Sequence, residues 1–154
     1  MRKLVPFVPT PMPVVYHMLD LAGVDEGETV VDLGCGDGRI LFTAAERYKA
    51  HAIGYEIRPA LVNHVRQSAK IKRLDEYVQV IQADLTRANI ENVDVITLYL
   101  TPDLLTQVRP RLENALRRGA RVVSHDFRIP GLIPSEAEKK HGKVIYLYRR
   151  FEKI

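Results

Sequence analysis

Apolar residues are distributed along the chain in two alternating patterns. Short β-branched and apolar runs, typical of buried strands, occur at residues 29–31, 51–57, 77–81, 93–100, 120–126 and 143–150. Segments with apolar residues at helical spacing separate the first five of these runs. Five strands that alternate with helices, followed by a last strand, predict an α/β fold with a doubly wound, Rossmann-like sheet. In such sheets, ligands bind at the carboxyl ends of the strands.

Two predicted helices depend on proline for their boundaries. Prolines at positions 6, 9, 11 and 13 favour an extended N-terminal arm, which either folds over the ligand crevice or is a rigid surface lead-in. Thr10 is the predicted N-cap of a first helix that begins at Pro11 and ends at Gly23. A later helix is predicted to begin at the Thr101–Pro102 pair, to break at Pro110 and to continue as a second segment as far as Gly119.

The candidate chemistry is concentrated where the first strand meets a glycine-rich turn. Gly34, Gly36 and Gly38 allow positive φ angles and a close approach of the backbone to a ligand. The pattern is D-x-G-x-G-x-G, whereas dinucleotide-binding loops read G-x-G-x-x-G. The carboxylates of Asp32 and Asp37 disfavour a phosphate but suit an ammonium and a sulfonium group. The turn therefore predicts S-adenosylmethionine (SAM) rather than NAD, the alternative being a tight turn that binds nothing.

Two more acids follow the second and third predicted strands. Glu56 lies 22 residues after Gly34, where a carboxylate can accept hydrogen bonds from both ribose hydroxyls; the alternative is a solvent-exposed acid at a strand end. Asp84 follows the third strand, on the side where Glu56 and the glycine turn are expected. With Asp32, these acids stand in register after three strands, which favours a binding site.

Side chains after the fourth and fifth strands are candidates for the substrate side. Tyr99 is predicted to bring an oxygen or a ring near the incoming acceptor. His125 and Asp126 either line the substrate mouth or have a structural role. The densest basic cluster is either a docking patch or a solvated surface, and comprises Arg109, Arg111, Arg117, Arg118 and Arg121.

Composition and charge restrict the interpretation only mildly. A chain of 154 residues is expected to form one domain, with residues 1–23 as arm and first helix and residues 24–154 as the core. A formal net charge of +4 makes nucleic acid a possible partner but not a favoured one. The single cysteine, Cys35, points weakly to a reducing compartment, and we expect a cytoplasmic monomer. No apolar run approaches the ~18 residues of a membrane span.

Five segments together resemble the class I SAM-dependent methyltransferases, and in particular the small archaeal protein-lysine methyltransferases and the related mitochondrial lysine methyltransferases. These segments are residues 7–11, 31–40, 54–56, 121–125 and 144–148. The resemblance implies a seven-stranded-type class I methyltransferase without a separate substrate domain. It implies methylation of exposed lysines in protein substrates, with loose sequence preference, and an arm that helps to cover the cofactor.

Site residues follow from the motif positions and from this resemblance. Tyr99 and Thr101 are the catalytic candidates, and no metal is expected. Asp84 is expected to accept a hydrogen bond from the adenine amino group, while the backbone N–H of Leu85 donates to a ring nitrogen. The full set of expected SAM-binding residues is Thr10, Asp32, Gly34, Gly36, Glu56, Ile57, Asp84, Leu85 and Tyr99.

The acceptor is the least determined part of the interpretation. Residues 99–102 do not form the Asn-Pro-Pro-Tyr or Asp-Pro-Pro-Tyr tetrad common in enzymes that methylate adenine or the glutamine amide, which counts against those acceptors. Two alternatives stay open. One is a methyltransferase of RNA or of a small metabolite, and the other is a non-catalytic SAM-binding module that holds a partner.

Overall fold

Seven strands and four α-helices form the part of the chain that the computed structural model describes, residues 7–154. In chain order the elements are α1 (Met12–Ala22), β1 (Thr29–Leu33), α2 (Arg39–Tyr48), β2 (His51–Glu56), α3 (Pro59–Ile71), β3 (Val78–Gln82), β4 (Val95–Leu98), α4 (Pro102–Arg117), β5 (Arg121–His125), β6 (Glu136–Lys140) and β7 (Lys143–Tyr148), with a 3₁₀ turn at Leu85–Arg87.

The strands form one sheet in the order β3-β2-β1-β4-β5-β7-β6. The first five strands of this order are parallel to one another, and β7 pairs antiparallel with both β5 and β6. Strand β1 pairs with β2 on one side and with β4 on the other, so the chain reverses its winding direction there. A crevice opens at such a switch point, outside the carboxyl ends of the strands. The predicted doubly wound, Rossmann-like fold is confirmed.

Each face of the sheet is covered by its own layer of helices. Successive residues of a strand point to opposite faces, and Val30 and Val31 of β1 accordingly belong to different hydrophobic clusters. The cluster around Val30 includes buried side chains of α1, α2 and α3, and the cluster around Val31 includes those of α4. Within residues 7–154, no helix is long and apolar enough to cross a membrane. A single domain over residues 1–154, divided at residue 23, stays a prediction.

Helix boundaries differ from the prediction at two prolines. Pro11, not Thr10, is the N-cap of α1, and the side chain of Thr10 is turned to His125 instead. The predicted break at Pro110 is wrong, because α4 continues through it to Arg117. Proline removes one backbone hydrogen bond, but α4 buries a continuous apolar face on both sides of Pro110, and tertiary packing of such a face supplies most of a helix's stability.

Strand β6 was not predicted from the sequence. Every one of its residues is exposed, and its sequence, Glu-Ala-Glu-Lys-Lys, lacks the alternation of apolar and polar residues that predicts a strand. It is an edge strand that pairs with β7 across a tight turn at His141 and Gly142. Charged side chains are common on edge strands because they oppose pairing with other chains.

Candidate active site

A cavity of about 320 Å³ lies at the crevice beside the carboxyl ends of β1, β2, β3 and β4. Its walls come from the N-terminal arm, the glycine turn, the ends of these strands and the first two turns of α4. The expected site residues that line it are Thr10, Asp32, Gly34, Glu56, Ile57, Asp84, Leu85, Tyr99 and Thr101. Gly36, the remaining member of that set, contacts Glu56 behind the cavity wall.

The glycine turn is held against the end of β2 by backbone hydrogen bonds. Its glycines, Gly34, Gly36 and Gly38, all have positive φ angles, of 80°, 57° and 82°. The N–H groups of Gly34 and Cys35 both donate to the carbonyl oxygen of Tyr55, at 2.8 and 3.0 Å. A side chain is strained at such φ angles, so this turn requires glycine for its shape.

Packing under the turn leaves no room for a side chain at position 54 of β2. A Cβ atom on Gly54 would lie 2.5 Å from the Sγ atom of Cys35 and 2.7 Å from a methyl carbon of Leu41. We expect Gly54→Ala to lower the free energy of unfolding by about 1–3 kcal/mol. Urea denaturation measures this effect.

A suitable control is Ser68→Ala, at a half-buried position of α3 that is not among the nearest neighbours of Gly54. The double variant Cys35→Ala/Gly54→Ala removes the sulfur atom that Gly54→Ala displaces, so part of the lost stability is expected to return. If Gly54→Ala is as stable as the wild type, the close packing between Gly54 and Cys35 is wrong.

Glu56 is a buried acid, 3% exposed, at the end of β2. One carboxylate oxygen accepts from the N–H of Gly36 at 2.9 Å, and the other accepts from the N–H of Arg58 at 2.9 Å. The alternative of a solvent-exposed strand-end acid is therefore wrong. The oxygen that accepts from Gly36 has two lone pairs and retains one for a ligand hydroxyl. The other oxygen also lies 3.5 Å from Nη1 of Arg58.

Asp32, at 4% exposure, is buried at the end of β1 where it lines the cavity. It accepts a hydrogen bond from Thr97 Oγ1 at 2.8 Å. Burial raises the pKa of Asp32 to about 7; the Thr97 hydrogen bond acts against this, and the carboxylates of Glu56 and Asp37 act with it. A cation in the cavity would favour the ionised form of Asp32, so the site is suited to bind one.

The N-terminal arm forms one wall of the cavity through residues 7–10. The ring of Phe7 covers Gly36 so closely that a Cβ atom there would lie 2.1 Å from it. Arg39 fixes the arm by donating from Nη1 to the carbonyl oxygen of Thr10 at 3.1 Å, while its other nitrogens bind the Asp37 carboxylate. Burial raises the pKa of Asp37, but the hydrogen bonds and charge of Arg39 outweigh it and hold that pKa below its usual value. Of the two interpretations of the arm, the structure supports the one in which it folds over the crevice.

Asp84 begins the 3₁₀ turn at Leu85–Arg87. Its Oδ1 atom accepts hydrogen bonds from the N–H and the hydroxyl of Thr86, at 2.9 and 2.8 Å, so that the turn fixes the carboxylate at the cavity wall. The Leu85 side chain packs against Gly34, whose Cβ would be 3.4 Å from it. The turn after β3 and the glycine turn after β1 are therefore in contact, and both line the cavity.

Tyr99 and Thr101 lie between β4 and α4 and line the cavity. The Tyr99 ring stacks on His125, with the ring centroids 3.9 Å apart. Thr101 is the N-cap of α4, as predicted, but its side chain makes no capping hydrogen bond. His125 and Asp126 do not line the cavity, so of their two interpretations the one at the substrate mouth is not supported. His125 lies behind Tyr99 and Thr10.

Comparison with known proteins identifies the family. The model of the ANTKMT methyltransferase domain matches residues 32–136, the region that contains the glycine turn, Glu56, Asp84 and Tyr99. The chain belongs to the ANTKMT methyltransferase family. As a methyltransferase it is an enzyme, which sets aside the non-catalytic alternative, and the resemblance to class I methyltransferases is confirmed.

Relatives of this methyltransferase include a protein of its own length and a longer one. It is 35% identical to a protein-lysine N-methyltransferase of Saccharolobus islandicus (strain REY15A), over 94% of this chain and 92% of the relative. It is 33% identical to the adenine nucleotide translocase lysine N-methyltransferase of Mus musculus, over 84% of this chain and 56% of the relative. The chain thus spans little more than half the length of the mouse protein, and both relatives are lysine N-methyltransferases.

A solved structure gives a close match over the whole fold. The crystal structure of an RNA methyltransferase from Salinibacter ruber, in complex with S-adenosyl-L-homocysteine, has a TM-score of 0.89 with this chain. The two chains are 42% identical, and the match covers 96% of each. The seven-stranded class I methyltransferase fold is thereby confirmed, and the names of these three similar proteins contain two kinds of acceptor, lysine and RNA.

Most of the basic cluster of this methyltransferase is engaged within the molecule. Arg109 donates from Nε to Glu113 at 2.6 Å, and Arg121 forms an ion pair with Glu28 at 2.7 Å. Arg111 donates to a backbone carbonyl oxygen at 3.1 Å. These contacts hold three of the five guanidinium groups of the cluster against partners within the molecule.

Several cavity residues are absent from the expected set. Arg39 and Arg58 were not predicted because each lies two residues after an acid, Asp37 or Glu56, whose own role explained the local pattern. Asp103, Leu104 and Gln107 line the cavity from the first turns of α4. These three residues could have been predicted from the sequence, because a helix that begins directly after a central strand presents its first turns to the ligand crevice. No group of three or more potential metal-ligating side chains within residues 7–154 is arranged to hold a metal ion.

Proposed function

We propose that this chain transfers the methyl group of SAM to the side-chain amine of lysine in protein substrates. The observation that carries the proposal is the acidic lining of the cavity. Its carboxylates belong to Asp32, Asp37, Glu56, Asp84 and Asp103, and its guanidinium groups to Arg39 and Arg58. Both arginines are paired with lining acids. This charge distribution favours a sulfonium and an ammonium group, such as those of SAM and of a lysine entering the cavity, and disfavours a phosphate.

The methyl donor is SAM, which supplies an electrophilic methyl group on its sulfonium sulfur. Glu56 accepts hydrogen bonds from the ribose hydroxyls through the oxygens that already fix Gly36 and Arg58. Asp84 accepts from the adenine amino group, and the backbone N–H of Leu85 donates to the adenine ring. Asp32 stabilises the cationic part of the ligand. The remaining contacts are made by Thr10, Gly34, Gly36, Ile57 and Tyr99.

Tyr99 and Thr101 orient the incoming lysine amine at the part of the cavity lined by the end of β4 and the start of α4. The Tyr99 ring is fixed by its stacking on His125, and the Thr101 hydroxyl is not used for capping α4. Holding an amine and a methyl donor in line contributes ~7–11 kcal/mol to such a reaction. The relative from Saccharolobus islandicus, a protein-lysine N-methyltransferase, supports lysine as the acceptor. We further propose that the enzyme acts as a cytoplasmic monomer on several protein substrates.

Glu56→Ala is expected to weaken SAM binding roughly tenfold to a hundredfold, because a charged hydrogen-bond acceptor is lost at ~1.5–3 kcal/mol. Titration calorimetry with SAM measures the change. Glu76→Ala, an exposed acid that precedes β3 at the opposite edge of the sheet, is the matched control and is expected to bind SAM normally. Unchanged affinity in a folded Glu56→Ala protein would remove Glu56 from the ribose site.

RNA is the second candidate acceptor, because the structurally similar Salinibacter ruber protein is described as an RNA methyltransferase. Incubation of the enzyme with methyl-labelled SAM and separate protein, RNA and metabolite extracts distinguishes the candidates. Label in protein, located on lysine by mass spectrometry, is the expected result. Label in RNA and not in protein would refute the lysine proposal while leaving the SAM site intact.

A further inference from the structure

His125 is fully buried at the end of β5 and does not line the cavity, yet it contacts two residues that do. Its Nδ1 atom lies 3.2 Å from Thr10 Oγ1, in the N-terminal arm. Its ring stacks on Tyr99, with centroids 3.9 Å apart and an angle of 27° between the planes. One imidazole therefore joins the cavity wall formed by the arm to the wall formed by the end of β4.

The surroundings of His125 determine which ring nitrogen carries the proton. Burial lowers the pKa of His125; the Asp126 carboxylate acts against this and the Lys143 ammonium acts with it. The imidazole is therefore neutral near pH 7 and has one N–H group. Nε2 has no hydrogen-bond partner within the described residues, and an Asp126 carboxylate oxygen lies 3.6 Å from it. The negative charge of Asp126 favours the proton on Nε2, which leaves Nδ1 as an acceptor.

This tautomer has a consequence for Thr10. With Nδ1 as an acceptor, the Thr10 hydroxyl donates its only proton to His125. The Thr10 oxygen then offers only lone pairs to a ligand in the cavity that Thr10 lines. It accepts hydrogen bonds from an ammonium or an amine and repels the oxygens of an anion.

We propose that His125 is a positioning residue for methyl transfer, which orients the Tyr99 ring and makes the Thr10 hydroxyl a hydrogen-bond acceptor. This inference rests on the proposed function, because it concerns the alignment of donor and amine in the same cavity. Alignment affects the transition state more than the binding of either substrate. Loss of His125 is therefore expected to lower kcat more than it raises KM.

Two substitutions each remove the Thr10–His125 hydrogen bond and leave an aromatic ring against Tyr99. His125→Phe keeps a flat ring against Tyr99 but cannot accept from Thr10, and Thr10→Val removes the hydroxyl at nearly constant shape. Each is expected to lower kcat about three- to tenfold, as for the loss of one hydrogen bond. Because both remove the same hydrogen bond, the double variant is expected to be no slower than the slower single variant. Thr10→Ser, which retains the hydroxyl, is expected to restore most of kcat.

The matched control is His51→Phe. His51 is exposed at the start of β2, away from the cavity, and also contacts an aromatic ring, that of Tyr77. Three results would overturn the inference. The fold-reductions in kcat of the two single variants could multiply in the double variant, KM could rise at constant kcat, or Thr10→Ser could fail to restore kcat. The Thr10 pair decides the question if His125→Phe does not fold. If the wild-type enzyme transfers label to RNA and not to protein, the proposed function is refuted instead. The role of His125 is then tested with the same variants and RNA as the acceptor.

Discussion

Asp32→Asn is expected to make the ligand-free protein more stable than the wild type at pH 8, by up to about 4 kcal/mol. Burial raises the pKa of Asp32 from 3.8 to about 7, so that the ionised carboxylate is unfavourable in the native state. Each unit of this shift corresponds to about 1.36 kcal/mol. Asparagine keeps an oxygen that accepts from Thr97 Oγ1 and has no charge to bury.

The sign of the effect depends on pH. Between the unfolded-state pKa near 4 and the folded-state pKa of Asp32 at about 7, the native protein holds a proton that the unfolded chain has released. The contribution of protonated Asp32 to the free energy of unfolding is fully present below about pH 4. It is lost as the pH rises through about 7. The Asp32→Asn variant does not lose this stability at high pH. Its free energy of unfolding should therefore exceed that of the wild type only slightly at pH 4.5 and strongly at pH 8.

Urea denaturation of both proteins at the two pH values measures this difference, with Asp75→Asn, an exposed acid, as the control. Asp32→Asn is also expected to bind SAM more weakly at pH 8, because the charge that suits a cation is gone. Such a trade of stability for binding is common at functional sites. An equal stability difference at pH 4.5 and pH 8 would show that ionisation of Asp32 is not its cause.

The single-turnover rate of lysine methylation is expected to rise roughly tenfold per pH unit above pH 6, because only the neutral amine attacks. A free lysine, with a pKa of ~10.4, costs about 4.6 kcal/mol to deprotonate at pH 7. Burial in the cavity and the sulfonium charge both lower this pKa. The rise should therefore reach a plateau by about pH 9 or 10.

This profile separates lysine from other acceptors. A metabolite hydroxyl or an aromatic ring nitrogen titrates differently and would give another curve. The measurement requires rapid mixing of a preformed SAM complex with a peptide or protein substrate, with stability checked at each pH and the product identified by mass spectrometry. A flat profile from pH 6 to 10, or label on arginine or a carboxylate, would refute the assignment to lysine without affecting the SAM site.

Local patterns in the sequence were sufficient to predict the parallel part of the sheet and much of the cavity. Buried central strands need continuous apolar runs, and these are visible without a structure. The glycine turn is equally local, because positive φ angles at Gly34, Gly36 and Gly38 require glycine. Asp32, Glu56 and Asp84 could be placed at one cavity because the carboxyl ends of parallel strands meet at one edge.

Contacts between residues far apart in the chain were decided only by the tertiary structure. The Thr10–His125 hydrogen bond joins positions 115 residues apart, and the exposed strand β6 forms only because β7 offers it an edge to pair with. The same holds for α4, which continues through Pro110 because the sheet buries its apolar face. By itself, the sequence determined which segments are the buried strands, where the turn needs glycine and which acids end these strands, since these depend on local sterics and periodicity. Long-range packing decided the burial that raises the pKa of Asp32 and the partner that holds Thr10, because both depend on neighbours that no local pattern specifies.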